Sequence, residues 1–133
     1  MKRRERIDGA VYERNYVYNF HYHLIWVTKY RQKIFTTPEL VNEMKEILLT
    51  QASLSEITVE TMEVMPDHVH MLVSIPPRMS VASFMGYLKG KSALMMFDKN
   101  TNLKYKFGNK HFWAEGYYVS TIGLNEATIK KYI

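Results

Sequence analysis

The sequence predicts an α+β fold in which one antiparallel sheet packs against two helices. Three observations predict it: runs of aromatic and β-branched residues typical of strands, two stretches with apolar residues at helical spacing, and turn or capping residues between them. Their order is strand, helix, strand, strand, helix, strand. This is a ferredoxin-like, RRM-like β-α-β-β-α-β arrangement with helices on one sheet face, and a C-terminal helix follows it.

The N-terminal part of the chain supplies a lead-in and the first strand. Residues 1–14 are polar and highly charged, and they predict an irregular N-terminal arm. Residues 16–30, YVYNFHYHLIWVTKY, are rich in aromatic and β-branched side chains. We therefore expect one long strand there.

The first helix has a clear start signal. Thr37 is a favourable N-cap residue, and Pro38 after it suits the first helical position. Apolar residues then recur at helical spacing; they are Leu40, Val41, Met44, Ile47 and Leu48. A helix is expected over about 38–52.

A hairpin is expected after this helix. Residues 57–65 alternate, and the alternation places one set of side chains on one face; the set is Ile57, Val59, Thr61, Glu63 and Met65. Residues 66 and 67 are Pro-Asp, a turn signal, and residues 68–75, HVHMLVSI, form the second strand.

The rest of the chain predicts a helix, a strand and a last helix. Ser80 caps the second helix, whose apolar stripe is typical of core packing; the stripe is Val81, Phe84, Met85, Leu88, Met95 and Met96. Residues 108–123 contain the fourth strand. Asn125 can cap a final helix that begins at Glu126 and is still running at Ile133.

The composition bounds the classes of function. The chain has 133 residues with neither a linker nor a repeat, so one domain, residues 1–133, is expected. The absence of cysteine excludes disulfides, thiolate metal sites and cysteine nucleophiles. A net charge of +5 favours an anionic partner such as nucleic acid, although modestly basic domains are common. With no signal-type or membrane-spanning stretch, a soluble cytoplasmic protein is expected.

Two histidines lie one residue apart in the second hairpin strand. Because residues i and i+2 of a strand point to the same face, His68 and His70 are expected side by side. Val69, Met71 and Val73 would then point into the helices. Two neutral imidazoles in this arrangement can reach one divalent ion. For a His-x-His pair taken alone, however, two hydrogen-bonded histidines on a solvated face are the favoured interpretation.

Spacing alone does not select this pair. His21 and His23 form a similar pair in the first strand. A metal site also needs a third protein group, for which Glu63 and Asp67 are the nearby carboxylates, although Asp67 can simply cap the turn.

A second apparent motif is rejected. Residues 86–92, GYLKGKS, look like a phosphate-binding loop, but that pattern requires glycine where Met85 stands. The segment also lies within the second amphipathic helix rather than after a strand.

Three stretches together resemble a known family. MPDHVHMLVSIPP resembles the strand that carries the HUH motif, His-hydrophobe-His. YHLIWVTKYRQKIF and GYYVSTIGLNEATIKKYI resemble the opening strand, and the final strand with the tyrosine helix, of the single-tyrosine HUH transposases. These serve small bacterial insertion sequences of the IS-two-hundred class. The resemblance covers roughly residues 16–133 with matching order and spacing.

The resemblance implies an enzyme that cleaves single-stranded DNA and transfers strands. It implies His68 and His70 as ligands of Mg²⁺ or Mn²⁺, and Tyr132 as a nucleophile that forms a covalent 5′-phosphotyrosine. It further implies recognition of hairpins near the ends of an insertion sequence, a nucleoid-associated location and a homodimer with active sites shared between subunits.

The residues around Tyr132 agree in part with this role. Ile129 and Ile133 form the apolar stripe of the last helix, and Tyr132 lies at its margin, where a hydroxyl can project into a cleft. Without the family resemblance, an ordinary amphipathic tyrosine is the favoured interpretation. The family pattern places a polar residue, usually glutamine and a possible third ligand, four positions after the tyrosine, beyond Ile133. We therefore expect a truncated tyrosine helix.

Basic and aromatic residues are candidates for DNA contact. The basic candidates are Arg14, Lys29, Arg31, Lys33, Arg78, Lys89, Lys91 and Lys110. Aromatic residues that can stack on bases, although core packing suits each of them better, are Tyr22, Trp26, Trp113 and Tyr117.

Three other functions are compatible with the sequence. One is a non-catalytic single-stranded nucleic-acid module, although the glycine-aromatic signature of RNA-recognition domains is not visible. The second is a defective or domesticated transposase that still binds hairpins. The third is a metal hydrolase that uses His68, His70 and water without a tyrosine.

Overall fold

The computed structural model describes residues 10–14, 16–18, 20–106, 111–121 and 126–133. The strands are β1 Val11–Tyr12, β2 Val17–Tyr18, β3 His21–Val27, β4 Thr58–Met65, β5 His68–Ser74 and β6 Tyr118–Ser120. The helices are α1 Pro38–Leu54, α2 Val81–Lys99, α3 Thr101–Lys106 and α4 Glu126–Tyr132. A short turn occupies Lys29–Arg31.

The main sheet has four antiparallel strands in the order β4-β5-β3-β6. The two strands that are joined through α1, β3 and β4, are therefore separated by β5, which is the strand order of a ferredoxin-like fold. The predicted α+β fold class is confirmed. No helix in the described ranges is long and apolar enough to cross a membrane.

One face of the sheet carries the core. Val69, Met71 and Val73 of β5 are fully buried, as the alternation of the strand predicts. They pack with apolar side chains of the two long helices; the largest of these are Met44, Leu48, Phe84, Met85, Leu88 and Met96. Because the helices cover this face, a functional site can form only from side chains on the other, open face of the sheet.

The first strand is shorter than predicted, and the N-terminal arm is partly ordered. Val17–Tyr18 leaves the sheet and pairs with Val11–Tyr12 in a separate two-stranded ribbon, closed by a 2.8 Å bond from Glu13 N–H to Tyr16 C=O. The sheet strand is only His21–Val27, followed by the turn at Lys29–Arg31. A continuous strand over 16–30 is therefore wrong, because apolar composition does not show where a chain changes its pairing partner.

The face predicted for β4 is also partly wrong. A bulge between Val59 and Thr61 shifts the register, so that Val59 pairs with Val73 whereas Thr61 pairs with Leu72. An extra residue in one strand reverses the side-chain alternation beyond it. Ile57 and Val59 consequently pack on the core side. The cross-strand partner of Glu63 is His70, which places Glu63 on the open face.

The remaining predicted elements match closely. Thr37 caps α1 by accepting from Leu40 N–H at 3.3 Å, and Ser80 caps α2 by accepting from Ser83 N–H at 3.0 Å. Residues 86–92 lie inside α2, in agreement with the rejection of a phosphate loop. The proposed cap Asn125 and the candidate Lys110 lie outside the described residues.

Candidate functional site

Strand β5 presents His68 and His70 on the open face of the sheet. Their neighbours Val69 and Met71 are fully buried on the other face, and the two histidines are only partly buried. His70 is directly opposite Ile25 of β3 and Glu63 of β4, because β5 is a central strand. The predicted side-by-side placement of the two imidazoles is therefore what the strand register produces.

Asp67 orients His68. Its Oδ1 lies 2.9 Å from His68 Nδ1, and its Oδ2 lies 3.5 Å from a guanidinium nitrogen of Arg31. Burial by itself raises the pKa of Asp67, but the hydrogen bond with His68 and the electrostatic interactions with His68 and Arg31 outweigh it, so the pKa lies below its ordinary value. With Nδ1 engaged, Nε2 is the nitrogen of His68 left to meet an ion, as in many metal sites.

His23 contacts His70, which the sequence did not indicate. His23 Nδ1 lies 3.2 Å from His70 Nε2, with the ring centroids 5.5 Å apart. Burial is the main cause that lowers the pKa of His70; electrostatic interactions with His23 and His68 add to it, and Glu63 opposes it. His70 is thus neutral at neutral pH, the form that can ligate. Only the register of two strands far apart in sequence reveals this pair.

His21 has different partners from His23. Its Nδ1 lies 2.9 Å from Glu60 Oε1 and 3.1 Å from Ser74 Oγ. Ser74 also donates to Glu60 at 3.3 Å. These three side chains tie β3, β5 and the bulged part of β4 together at the end of the sheet away from Asp67, so His21 holds the sheet edge rather than the paired histidines.

A cavity of about 410 Å³ opens beside the two histidines. It is lined by Arg31, Glu63, Met65, Asp67, His68, His70, Ile129, Lys130 and Ile133. Two imidazoles and a facing carboxylate are a suitable donor set for a divalent ion. In the part of the chain that the structure describes, however, no three acidic, histidine or cysteine side chains already converge on a single ion position.

Helix α4 brings Tyr132 to this face of the sheet. Its ring packs against Tyr118 of β6 with a centroid distance of 5.5 Å. Tyr118 pairs with Ile25, which in turn pairs with His70, so the three occupy one row across the sheet. Ile129, Lys130 and Ile133 line the cavity, whereas Tyr132 is turned toward Tyr118. Burial raises the pKa of the Tyr132 phenol above its ordinary value.

The predicted DNA-contacting residues fall in different surroundings. Arg31 lies on the cavity, whereas the Lys89 ammonium donates to the C=O groups of Ala114 and Gly116 at 2.8 Å each and so fastens the segment before β6. Arg78 bonds Ser55 C=O and Glu56. Exposed candidates are Arg14, Lys33 and Lys91.

The predicted core packing of two aromatic residues is confirmed. Trp26 is fully buried, and Trp113 is 5% exposed and donates to Ser92 Oγ at 3.0 Å. Tyr22 and Tyr117 are partly buried against the same core. Neither tryptophan ring is therefore accessible for stacking on a base.

A ferredoxin-like sheet with paired histidines on its open face and a tyrosine on the helix beside it is the arrangement that the resemblance to the single-tyrosine HUH transposases implies. Residues 16–133 match the family model of IS200-like transposases. The chain belongs to this family and is a DNA transposase. The resemblance recognised in the three sequence motifs is thereby confirmed.

Relatives and solved structures agree with this assignment. The chain is 44% identical over 116 residues to the transposase for insertion sequence element IS200 of Salmonella typhimurium, covering 87% of this chain and 76% of that protein. It is 42% identical over 121 residues to the ISDra2 transposase TnpA of Deinococcus radiodurans, covering 90% and 86%.

Two solved structures share the fold. A crystal structure from Deinococcus radiodurans R1, assigned to the transposases, has a TM-score of 0.80 and 35% identity, with 92% of this chain and 94% of that chain covered. A REP-associated tyrosine transposase bound to a REP hairpin has a TM-score of 0.54 and 14% identity, with 98% and 67% covered. The second likeness concerns the fold alone.

Proposed function

We propose that this transposase cleaves and rejoins single-stranded DNA through a covalent link to Tyr132, with a divalent ion at His68 and His70. The observation that carries the proposal is that α4 and the two histidines border one cavity on the open face of the sheet. Substrate can reach this face because the helices α1 and α2 pack on the other one.

His68 and His70, with Glu63 across the strand, would hold Mg²⁺ or Mn²⁺, which would polarise the scissile phosphate and offset charge on its oxygens. Asp67 holds the imidazole of His68 in place through Nδ1. The lowered pKa of His70 keeps that ring neutral and so able to ligate.

Tyr132 would attack phosphorus in line. The phenol oxygen forms the new bond to phosphorus, the bond to the 3′ oxygen breaks, and the 3′ oxygen leaves as a hydroxyl after taking up a proton. A 5′-phosphotyrosine remains, and a different 3′ hydroxyl can reverse the attack and join new ends. Because burial raises the pKa of Tyr132, the phenol is protonated at neutral pH and must transfer its proton to a base as it attacks.

The nucleophile has to move before it can act. The ring of Tyr132 rests on Tyr118, and other residues of α4 line the cavity. In the homodimer that we propose, α4 of one subunit would lie against the other subunit. Its Tyr132 would then meet the partner's pair of histidines instead of resting on Tyr118 of its own chain. The substrate we propose is single-stranded DNA with a hairpin; the fold is shared with a transposase whose solved complex contains a REP hairpin.

Incubation with end-labelled single-stranded hairpin DNA and Mn²⁺ or Mg²⁺, followed by denaturing electrophoresis, tests the proposal. We expect a protein–DNA adduct that is lost in Tyr132→Phe and in EDTA and is retained in Tyr16→Phe, a change to an exposed tyrosine of the N-terminal ribbon. DNA cleavage that persists in Tyr132→Phe without an adduct would instead identify a hydrolase that uses water.

A binding protein without cleavage activity is the second candidate. The packing of Tyr132 on Tyr118, away from the cavity wall, favours it. In that case hairpin DNA would bind equally well with EDTA, and no adduct would form with either metal.

A further inference from the structure

Two consecutive residues after β3 have a backbone conformation that is unusual for side chains with a β-carbon. Tyr30 has φ 58° and ψ 19°, and Arg31 has φ 52°. Left-handed conformations cost free energy for every residue except glycine, and bulky side chains adopt them rarely. Such strain persists where the surrounding structure imposes it, and it is concentrated at functional sites.

Several bonds hold this turn in place. Lys29 N–H donates to Phe112 C=O at 2.9 Å, and Arg31 N–H donates to Thr28 C=O at 2.9 Å. The Thr28 hydroxyl, on a fully buried residue, donates to Gln32 C=O at 2.7 Å. The strained turn is therefore anchored at both ends, and its tip cannot relax without losing these bonds.

The tip of the turn presents an aromatic ring to solvent. Tyr30 is 78% exposed, the largest value among the exposed large hydrophobic residues in the described ranges. The ammonium of Lys29 lies 5.3 Å from the ring centroid. Core packing therefore does not account for the aromatic side chain at this position.

The turn adjoins the histidine cavity. Arg31, next to Tyr30, lines that cavity and reaches Asp67, the partner of His68. Lys29, Arg31 and Lys33 give the turn three positive charges within five residues. A negatively charged backbone that enters the cavity would pass this turn, because the basic side chains attract it there.

We propose that Tyr30 stacks on an unpaired base of the single-stranded DNA substrate, beside the phosphate that occupies the histidine cavity. Proteins that bind single-stranded nucleic acid without sequence preference combine basic residues with exposed aromatic rings on which bases stack. The left-handed backbone at Tyr30 and Arg31 occurs where the ring points into solvent. Packing in the core does not require this backbone conformation. This inference rests on the proposed function.

Binding of a fluorescent single-stranded oligonucleotide, measured by anisotropy in the Tyr132→Phe background so that cleavage does not interfere, tests the inference. We expect Tyr30→Ala to weaken binding about 5- to 100-fold, as the loss of one stacked base does. Tyr30→Phe should bind like the parent chain. Tyr16→Ala, on another exposed tyrosine, should also leave affinity unchanged.

Tyr30→Gly separates a role in binding from a role in folding. Glycine tolerates positive φ, so this change should raise the melting temperature and yet weaken DNA binding as much as Tyr30→Ala does. A probe with 2-aminopurine at successive positions should show one position whose fluorescence is quenched by the parent chain and recovers with Tyr30→Ala.

Three outcomes would overturn the inference. They are parental affinity in Tyr30→Ala, a melting temperature that falls in Tyr30→Gly, and a dimer that dissociates in Tyr30→Ala, since the ring would then bind a second copy of the chain. If the parent chain itself fails to bind single-stranded DNA, the proposed function fails together with it. If the parent chain binds DNA and Tyr30→Ala binds it equally well, only this inference fails and the proposed function stands.

Discussion

His23 is the residue whose role differs most between sequence and structure. The two His-x-His pairs are indistinguishable by spacing, yet one member of the first pair reaches the second pair across the sheet. A hydrogen bond to one ring nitrogen fixes which nitrogen of an imidazole can ligate. His23 contacts Nε2 of His70, and Asp67 contacts Nδ1 of His68. Each contact therefore affects which ring nitrogen of its histidine is left to bind a metal ion.

Replacing His23 should weaken metal binding. His23→Ala frees the ring of His70 to rotate, and we expect the affinity for Mn²⁺ to fall about 10- to 100-fold, as for other partners of metal-ligating histidines. Isothermal titration calorimetry measures this. His21→Ala is the matched control, because His21 is held by Glu60 and Ser74. Unchanged Mn²⁺ affinity in His23→Ala would show that the contact does not orient His70.

Asp67 should contribute stability that depends on pH. Its pKa in the folded protein is lower than the ordinary value near 3.8, so the carboxylate stabilises the fold at neutral pH, and this contribution is lost as the pH falls below about 4. We expect Asp67→Asn to lower the free energy of unfolding by about 1–2 kcal/mol at pH 7, and by much less at pH 3. Urea unfolding at the two pH values measures the difference.

The matched control for Asp67 is Glu56→Gln. Glu56 bonds Arg78, but its side chain is 82% exposed, so the change should stay within about 0.5 kcal/mol at both pH values. Equal losses for the two variants would contradict a special role for Asp67.

At the scale of elements, the sequence predicts a helix or strand correctly where the determining residues are close together in the chain. The caps Thr37 and Ser80 and the apolar stripes define both long helices, because capping and helical spacing depend on neighbours within a few residues. The bulge after Val59 was missed because alternation alone does not reveal an inserted residue. The end of the first strand was missed because it depends on a partner, Val11–Tyr12, outside the strand.

Lys89 fastens two elements to each other. Its ammonium, on α2, satisfies two carbonyl groups of the segment that leads into β6, and burial lowers its pKa although Glu115 opposes the shift. We expect Lys89→Met to reduce the free energy of unfolding by about 1–3 kcal/mol, because two acceptors lose their donor. Thermal or urea unfolding provides the measurement.

Lys91→Met is the control for this element. Lys91 is exposed on the same helix, so its replacement should change stability by less than about 0.5 kcal/mol. If Lys89→Met unfolds like the parent chain but loses DNA affinity, the lysine is a DNA contact and the sequence prediction for it holds.

At the scale of the whole molecule, the homodimer that we propose would combine α4 of one subunit with the histidines of the other. A mixture of Tyr132→Phe chains and His70→Ala chains should regain adduct formation, because a heterodimer with shared sites contains one intact tyrosine facing one intact histidine pair. The assay is the same denaturing gel, with each variant alone as control. An inactive mixture would show that both groups act from one chain.

Only part of the candidate site could be predicted from the sequence. The two-residue period of a strand places His68 and His70 on one face, but it does the same for His21 and His23. The family resemblance was needed to select the pair in β5 and Tyr132. The cavity also needs Arg31 from the turn after β3 and Ile129 from α4. Their convergence depends on how distant elements pack, which no local pattern contains.

The bulge near Glu60 divides the hairpin into two halves of opposite phase. Upstream, odd-numbered residues such as Val59 face the helices, whereas downstream the even-numbered Met62 and Val64 do so. Deleting Glu60 would remove the bulge and give a regular alternation, in which Val59, Met62 and Val64 still face the helices and Glu63 still faces the open side. The bonds that Glu60 makes to His21 and Ser74 would be lost. The bulge is therefore a position in β4 where the loss of one residue would keep the apolar side chains on the core face.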